Sequence, residues 1–185
     1  MTRLCRIGSV MAALIDDFRD PECAANGARW RFASDTVMGG VSAGVLAHRE
    51  VAGRPALRMT GDVRLENDGG FISMSLDLAP DGGTFDASEC EGVRLDVLGN
   101  GERYGLHLRT ADAIRPWQSW RAEFSTTGDW RSVRLPFGDF QAHRVDAPFD
   151  PSRLRRVSLI AIGRAFHADL AVSDMRFLTR ETGGG

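Results

Sequence analysis

Seven stretches of this chain alternate apolar and polar residues with a period of two. Trp30 and Phe32 alternate with Arg29 and Arg31, and Leu57 and Met59 with Arg58 and Thr60. Ile72, Met74, Leu76 and Leu78 alternate with Ser73, Ser75 and Asp77. Val93, Leu95 and Val97 alternate with Arg94 and Asp96, and Leu106 and Leu108 with His107 and Arg109. Trp120, Ala122 and Phe124 alternate with Arg121 and Glu123, and Val133 and Leu135 with Ser132 and Arg134. Successive side chains of a β-strand point to opposite faces, so each stretch reads as a strand with one dry and one wet face. Val157 to Ile162 is almost continuously apolar, as for a strand covered on both faces. Leu170 and Val172 hold one phase and Met175 and Phe177 the other, which predicts a bulge near Ser173–Asp174.

Turn signals separate these runs: Gly39–Gly40, Asp68–Gly69–Gly70, Asp81–Gly82–Gly83, Gly99–Asn100–Gly101 and Gly128–Asp129. No stretch carries a long helical period; Val10 to Phe18 reads as a short helix. The pattern predicts an all-β chain of about ten short strands, an antiparallel β-sandwich or jelly roll with little helix. With 185 residues, 43% of them hydrophobic, the chain suits one domain. We place it at 15–179, after an unassigned N-terminal segment (1–14) and before a flexible tail (180–185).

All 23 basic residues are arginine, which excludes catalysis by a lysine. Against 25 acidic residues they leave a net charge of −2, so no overall basic field draws in nucleic acid or an anionic membrane. No apolar run approaches the ~18 residues that span a bilayer, so no membrane insertion is expected. Cys5, Cys23 and Cys90 are odd in number and form no C-x-x-C, a pattern that suits a reducing, cytoplasmic setting. Arg3 and Arg6 precede an apolar stretch from Ile7 to Ile15 without a cleavage pattern, and Met11 is an alternative initiator.

Gly40-Val41-Ser42-Ala43-Gly44 matches G-x-S-x-G literally, but a nucleophile elbow needs a helix after the serine, and strand and turn are predicted there. The glycines of 99–105 lack dinucleotide-binding spacing. His48, His107, His143 and His167 are scattered, and neither a metal nor a cofactor is expected. Two other strings are more informative. In SDTVMGGVS (34–42), Ser34, Asp35 and Thr36 suit a backbone-bonded turn, and Met38 is expected to plug an apolar gap. Gly39 and Gly40 suit positive φ or close approach of another backbone. ENDGGFIS (66–73) is a second tight turn, with Phe71 opening a strand. Both read as architectural turns; Asp35, Asn67 and Asp68 are alternatively oxygen ligands for Ca²⁺.

These two strings, about thirty residues apart and following Trp30, resemble the complex I intermediate-associated protein 30 family. Tyr104–Arg109 and Ser119–Phe124 are similar to its central strands, with Trp120 where a tyrosine is more usual. Trp130–Phe137 with Phe140 resembles its W-x-x-V-x-(I/L)-P-F-x-x-F segment, and Asp150–Leu154 the lead into its last strands. The resemblance runs from about Asp16 to Phe177. It implies a galactose-binding-like jelly roll, akin to some carbohydrate-binding modules. It also implies a non-catalytic, chaperone-like helper in assembly of respiratory complex I (NADH:ubiquinone oxidoreductase), the role of eukaryotic members. The lysine-free composition points to a GC-rich bacterial gene.

On one parity the middle strands carry Arg94, Asp96, His107, Arg109, Arg121, Glu123, Ser132 and Arg134. These form either a solvated face or, if adjacent, one platform for a ligand or partner. Arginine forks suit carboxylates, phosphates or acidic protein surfaces. Trp117, in a predicted loop, suits a sugar ring, a protein interface or a lid on the core. The candidate binding residues are therefore Ser34, Asp35, Met38, Gly39, Gly40, Ser42, Asn67, Gly70 and Phe71 in the two turns, with His107, Arg109, Trp117 and Arg121. A protein partner, complex I subunits or assembly intermediates among them, is expected first and a carbohydrate second. An enzyme using Asp35, His107 or Arg109 is a third reading, for which no spacing speaks.

Overall fold

The computed structural model describes residues 13–179, which form two six-stranded antiparallel sheets. The first sheet runs β3 (Ala43–Val51), β4 (Arg54–Val63), β12 (Phe166–Thr179), β6 (Cys90–Gly99) and β9 (Arg131–Pro136). β1 (Ala13–Asp16) also pairs with β12. The second runs β10 (Gln141–His143), β8 (Ser119–Ser125), β7 (Arg103–Thr110), β11 (Leu154–Ile162), β5 (Phe71–Asp77) and β2 (Arg31–Ser34). The apolar parity of each alternating run faces the other sheet. Leu57, Met59, Val93, Leu95, Val97, Leu170 and Val172 meet Ile72, Met74, Leu76, Leu106, Leu108, Val157 and Leu159, all buried. This is the all-β sandwich the alternation predicts.

Twelve strands replace about ten because β1 and β10 are too short to show a period, and edge strand β3 buries no residue. The register of β12 against β6 shifts between Val172 and Asp174, the predicted bulge, so Val172 and Met175 both reach the core. The short helix expected over Val10–Phe18 is not formed by the residues described. Residues 10–12 lie outside them, and Ala13–Asp16 is a strand along the part of β12 beyond its pairing with β4. Pairing on an open edge outweighs a weak local helix preference. β11 is covered on both faces only in part: Ile160 on its outer side is buried, whereas Ile162 is 38% exposed.

Candidate binding face

The two marked turns meet at one end of the second sheet, where Ser34 pairs with Ile72. Ser34 caps a 3₁₀ turn over Asp35–Met38, accepting from the Thr36 amide at 3.5 Å and bonding Thr36 Oγ1 at 2.8 Å. Gly39 closes that turn with φ at 85°, a conformation that L side chains rarely adopt. Gly40 passes so close to Asp35 that a Cβ would lie 2.3 Å from Asp35 Cγ. Asp35 is fully buried. Its Oδ1 accepts from the Ser42 amide at 2.9 Å. Its Oδ2 accepts from the Ser42 hydroxyl at 2.5 Å and from the amides of Gly70 at 2.5 Å and Phe71 at 3.3 Å. Ser42 Oγ also accepts from the Arg64 amide at 2.9 Å, and Asn67 Nδ2 donates to the Gly39 carbonyl at 3.2 Å. Burial works to raise the Asp35 pKa, but the Ser42 hydroxyl and the three amides hold it below the usual carboxylate value.

Asp35 is therefore an internal anion whose oxygens are filled by the chain's own donors. It ties the turns together as a buttress. The calcium alternative loses this ligand, because no Asp35 oxygen is free to turn to a cation. The serine of G-x-S-x-G is buried, is followed by β3 and gives its proton to Asp35, so it is not a poised nucleophile. Met38 plugs no gap: it is 64% exposed at the tip of the 3₁₀ turn, which directs it away from the core.

The eight polar residues of one parity do not form one platform, because their strands divide between the sheets. Arg94, Asp96, Ser132 and Arg134 belong to β6 and β9, on the outer face of the first sheet. Most charges of that sheet are matched; Arg49 and Arg131, both exposed, have no carboxylate within 4.0 Å among the described residues. Arg94 bonds Ser132 at 2.8 Å and Asp96 at 3.2 Å, and Arg58 holds Asp169 by two bonds of 2.8 and 2.6 Å. Arg176 bonds Asp174 with distances from 2.8 to 3.1 Å. A cavity of about 420 Å³ on this side is lined by three aspartates (17, 96, 174) and three arginines (19, 54, 176).

His107, Arg109, Arg121 and Glu123 lie on the second sheet's outer face. The register places Gln141, Arg121, His107, Ser158, Ser75 and Arg31 in one row across all six strands. A neighbouring row sets Arg109 directly beside Arg156, and Arg156 beside Asp77. Like charges directly opposite one another in a sheet are destabilising. Asp77 is claimed by Arg156, at 2.8 Å, and by Arg31. Burial raises the Asp77 pKa, and these two arginines more than offset it and keep it low. Arg109 and Arg121 find only neutral acceptors. Arg109 donates to the carbonyls of Ala113 (2.7 Å) and Arg115 (3.2 Å), and its Nε is buried without a partner. Arg121 donates to Ser119 Oγ (2.9 Å) and the Trp117 carbonyl (3.5 Å). Among the described residues, none of Arg109, Arg121, Arg144 or Arg155 has a carboxylate within 4.0 Å. Burial first, then the charges of Arg156 and Arg155, lower the Arg109 pKa; burial and Arg144 lower that of Arg121.

The carbonyls that Arg109 and Arg121 hold belong to loop 111–118, which is thereby drawn over the edge of this face. Gln118 pins it further, accepting from the Arg115 amide and donating to the Arg144 carbonyl, both at 2.8 Å. Trp117 stands 51% exposed on this rim, with Ile114, three residues earlier in the same loop, 80% exposed, so Trp117 is not a lid on the core. His107, only 8% exposed, is pushed down to about 3 by burial, then by the charges of Arg121 and His143. It is a neutral imidazole, set between Arg121 and Ser158.

The thirteen candidate residues thus fall in two places. Nine form the buttress at the Ser34–Phe71 end of the sheet; His107, Arg109, Trp117 and Arg121 mark the face and its far rim. Sequence reading missed Arg31, Asp77, Arg144, Arg155 and Arg156, which share that face. The alternation Arg156, Ser158 on the wet side of β11 was the available signal.

The two packed antiparallel sheets define the class of architecture, an all-β sandwich of the jelly-roll kind. The sequence matches the family model of Complex I intermediate-associated protein 30 over residues 17–172, and the chain belongs to that family. No curated protein matches it significantly in sequence. Its fold is similar to that of the family 11 carbohydrate-binding module of cellulosomal cellulase Lic26A-Cel5E of Clostridium thermocellum. That likeness has a TM-score of 0.71 at 12% identity over 94% of this chain and 97% of that one. The same family 11 module in complex with a β-1,3-1,4-mixed-linked tetrasaccharide gives 0.70 at 13% identity over 93% and 98%. A family 30 carbohydrate-binding module gives 0.66 at 18% identity over 95% and 91%.

Proposed function

We propose that the chain is a non-catalytic protein-interaction module that acts, like the family's name-giving helper, in assembly of respiratory complex I. The reading makes it a cytoplasmic chaperone-like factor that engages complex I subunits or assembly intermediates through the second sheet's outer face. The observation that carries it is the set of supported arginines without counter-charge beside a half-exposed tryptophan. Arginine and tryptophan are the residues most enriched among interface anchors. Affinity capture of the tagged chain from its own host tests the reading. Complex I subunits are expected to be enriched, and to be lost with a folded Arg109→Ala variant. Capture of a different defined complex would discard complex I, and retention of subunits by Arg109→Ala would move the interface elsewhere.

A second reading, a carbohydrate-binding module, is favoured by Trp117, whose exposed ring can stack on a sugar, and by the kind of module that shares the fold. It predicts a rise in Tm with mixed-linked β-glucan oligosaccharides that disappears in Trp117→Ala. No change in Tm with saturating oligosaccharide would dismiss it.

A further inference from the structure

We propose that the occupant of the second sheet's outer face is an acidic, extended segment of a partner protein, seated on Arg109 and Arg121 with an apolar side chain against Trp117 and Ile114. This rests on the reading of that face as a protein-binding surface and states the chemistry of what binds there.

Charge complementarity selects the occupant. Arg31, Arg109, Arg121, Arg144, Arg155 and Arg156 gather around this face; Asp77 pairs with Arg31 and Arg156 and Glu123 with Arg103, so four of the six arginines are left without a carboxylate among the described residues. The whole chain is slightly acidic, at −2, so the concentration of unmatched positive charge here is local. The guanidinium forks are already oriented, because loop carbonyls and Ser119 hold them. A carboxylate that arrives meets a fixed fork rather than a mobile one, and little side-chain entropy is lost. Arg156 is bonded to Asp77, yet its charge still presses on Arg109 beside it, and an anion seated at Arg109 relieves that repulsion.

The dimensions also fit. From Arg121 on β8 to Arg31 on β2 the row crosses four strand spacings, about 19 Å, which an extended peptide spans in about six residues. Acidic side chains on one side of such a peptide recur every ~6.6 Å, so about three of them face the sheet within that span. Charge alone would serve an acidic glycan equally. The rim decides for a peptide: exposed Ile114 has no polar group to offer a sugar, whereas an aliphatic side chain flanked by acids can bury it together with Trp117.

The test is fluorescence anisotropy with the full chain and three labelled probes: a short glutamate peptide around one leucine, its glutamine counterpart, and oligogalacturonate. The glutamate peptide is expected to bind at least about tenfold more tightly than the glutamine peptide, and to weaken as salt rises. Arg109→Gln with Arg121→Gln is expected to cost at least about tenfold, while Arg94→Gln, on the first sheet, changes nothing beyond about twofold. Circular dichroism of each variant confirms folding. Equal binding of the two peptides, or binding insensitive to the arginine pair, overturns the proposal. Tighter, arginine-dependent binding of oligogalacturonate replaces the acidic segment with an acidic glycan. If no anionic probe binds while host subunits are still captured through Arg109, the acidic chemistry fails and the interaction module stands.

Discussion

Asp35 and Arg109 both take charge out of water, and the chain treats them in opposite ways. Around Asp35 every carboxylate oxygen is filled: the Ser42 amide and hydroxyl and the amides of Gly70 and Phe71 converge on it. Around Arg109 the chain supplies two carbonyls, leaves Nε without a partner and sets another arginine alongside. A buried ion that is fully satisfied has finished its work inside the fold. One that is held in place but not neutralised is prepared for something outside. The contrast separates an architectural motif from a binding surface, although both stand out in the sequence.

The largest effect should come from breaking the satisfied side. Asp35→Ala takes the acceptor from the Ser42, Gly70 and Phe71 amides and leaves the Ser42 hydroxyl only its longer bond to the Arg64 carbonyl; at about 1–3 kcal/mol for each group left unpaired, we predict a loss of about 3 kcal/mol or more. Urea denaturation measures it; a loss below about 1 kcal/mol would deny the buttress its role. A more gradual effect, spread over several pH units, separates the two regions by pH. His107 is neutral in the folded chain and would protonate in the unfolded chain below about pH 6.5, so acid draws the equilibrium towards unfolding. Stability should fall from near pH 6.5 down to about pH 3, on the order of 1 kcal/mol per pH unit. His143, lowered in the same direction by burial and by Arg121 and Arg144, contributes with the same sign. The Asp35 contribution has the opposite origin. Its folded pKa lies below the unfolded value of 3.8, so it is fully present above that pH and lost only as pH falls beneath it. Denaturation of His107→Gln between pH 6 and 4 should therefore show a flatter profile, while the Asp35 loss still sets in below pH 3.8.

The smallest effect should come from the unsatisfied side. Arg109→Met removes an uncompensated charge and keeps an apolar stem, so stability should stay level or rise by up to about 1 kcal/mol, while partner capture is lost. A loss of stability above about 2 kcal/mol would mean that Arg109 serves the fold as Asp35 does.

Much of this was legible in the sequence. Period-two runs assign inward and outward residues correctly on both sheets, because that periodicity follows from strand geometry alone. The two turn strings also announce their partnership, since Ser, Asp, Asn and Gly are the residues that satisfy and bend backbone locally. What periodicity does not contain is pairing. Arg94 and His107 share a parity, yet β6 and β7 belong to different sheets, and only long-range register reveals it. Loop 111–118 lies over the face because Arg109 and Arg121 grasp its carbonyls, an interaction without a local signature. Met38 shows the same limit: an apolar residue in a turn carries no mark of whether the turn points inward.

The most direct measurement is a titration of the ¹⁵N-labelled chain with the glutamate peptide, followed through backbone amides, arginine Nε–H groups and the Trp117 indole. The account predicts that the largest shifts cluster at Arg109, Arg121, Arg156 and Trp117, and that residues 35–42 and 66–71 stay unmoved. Shifts centred on those two turns, with the arginine signals unchanged, would contradict it.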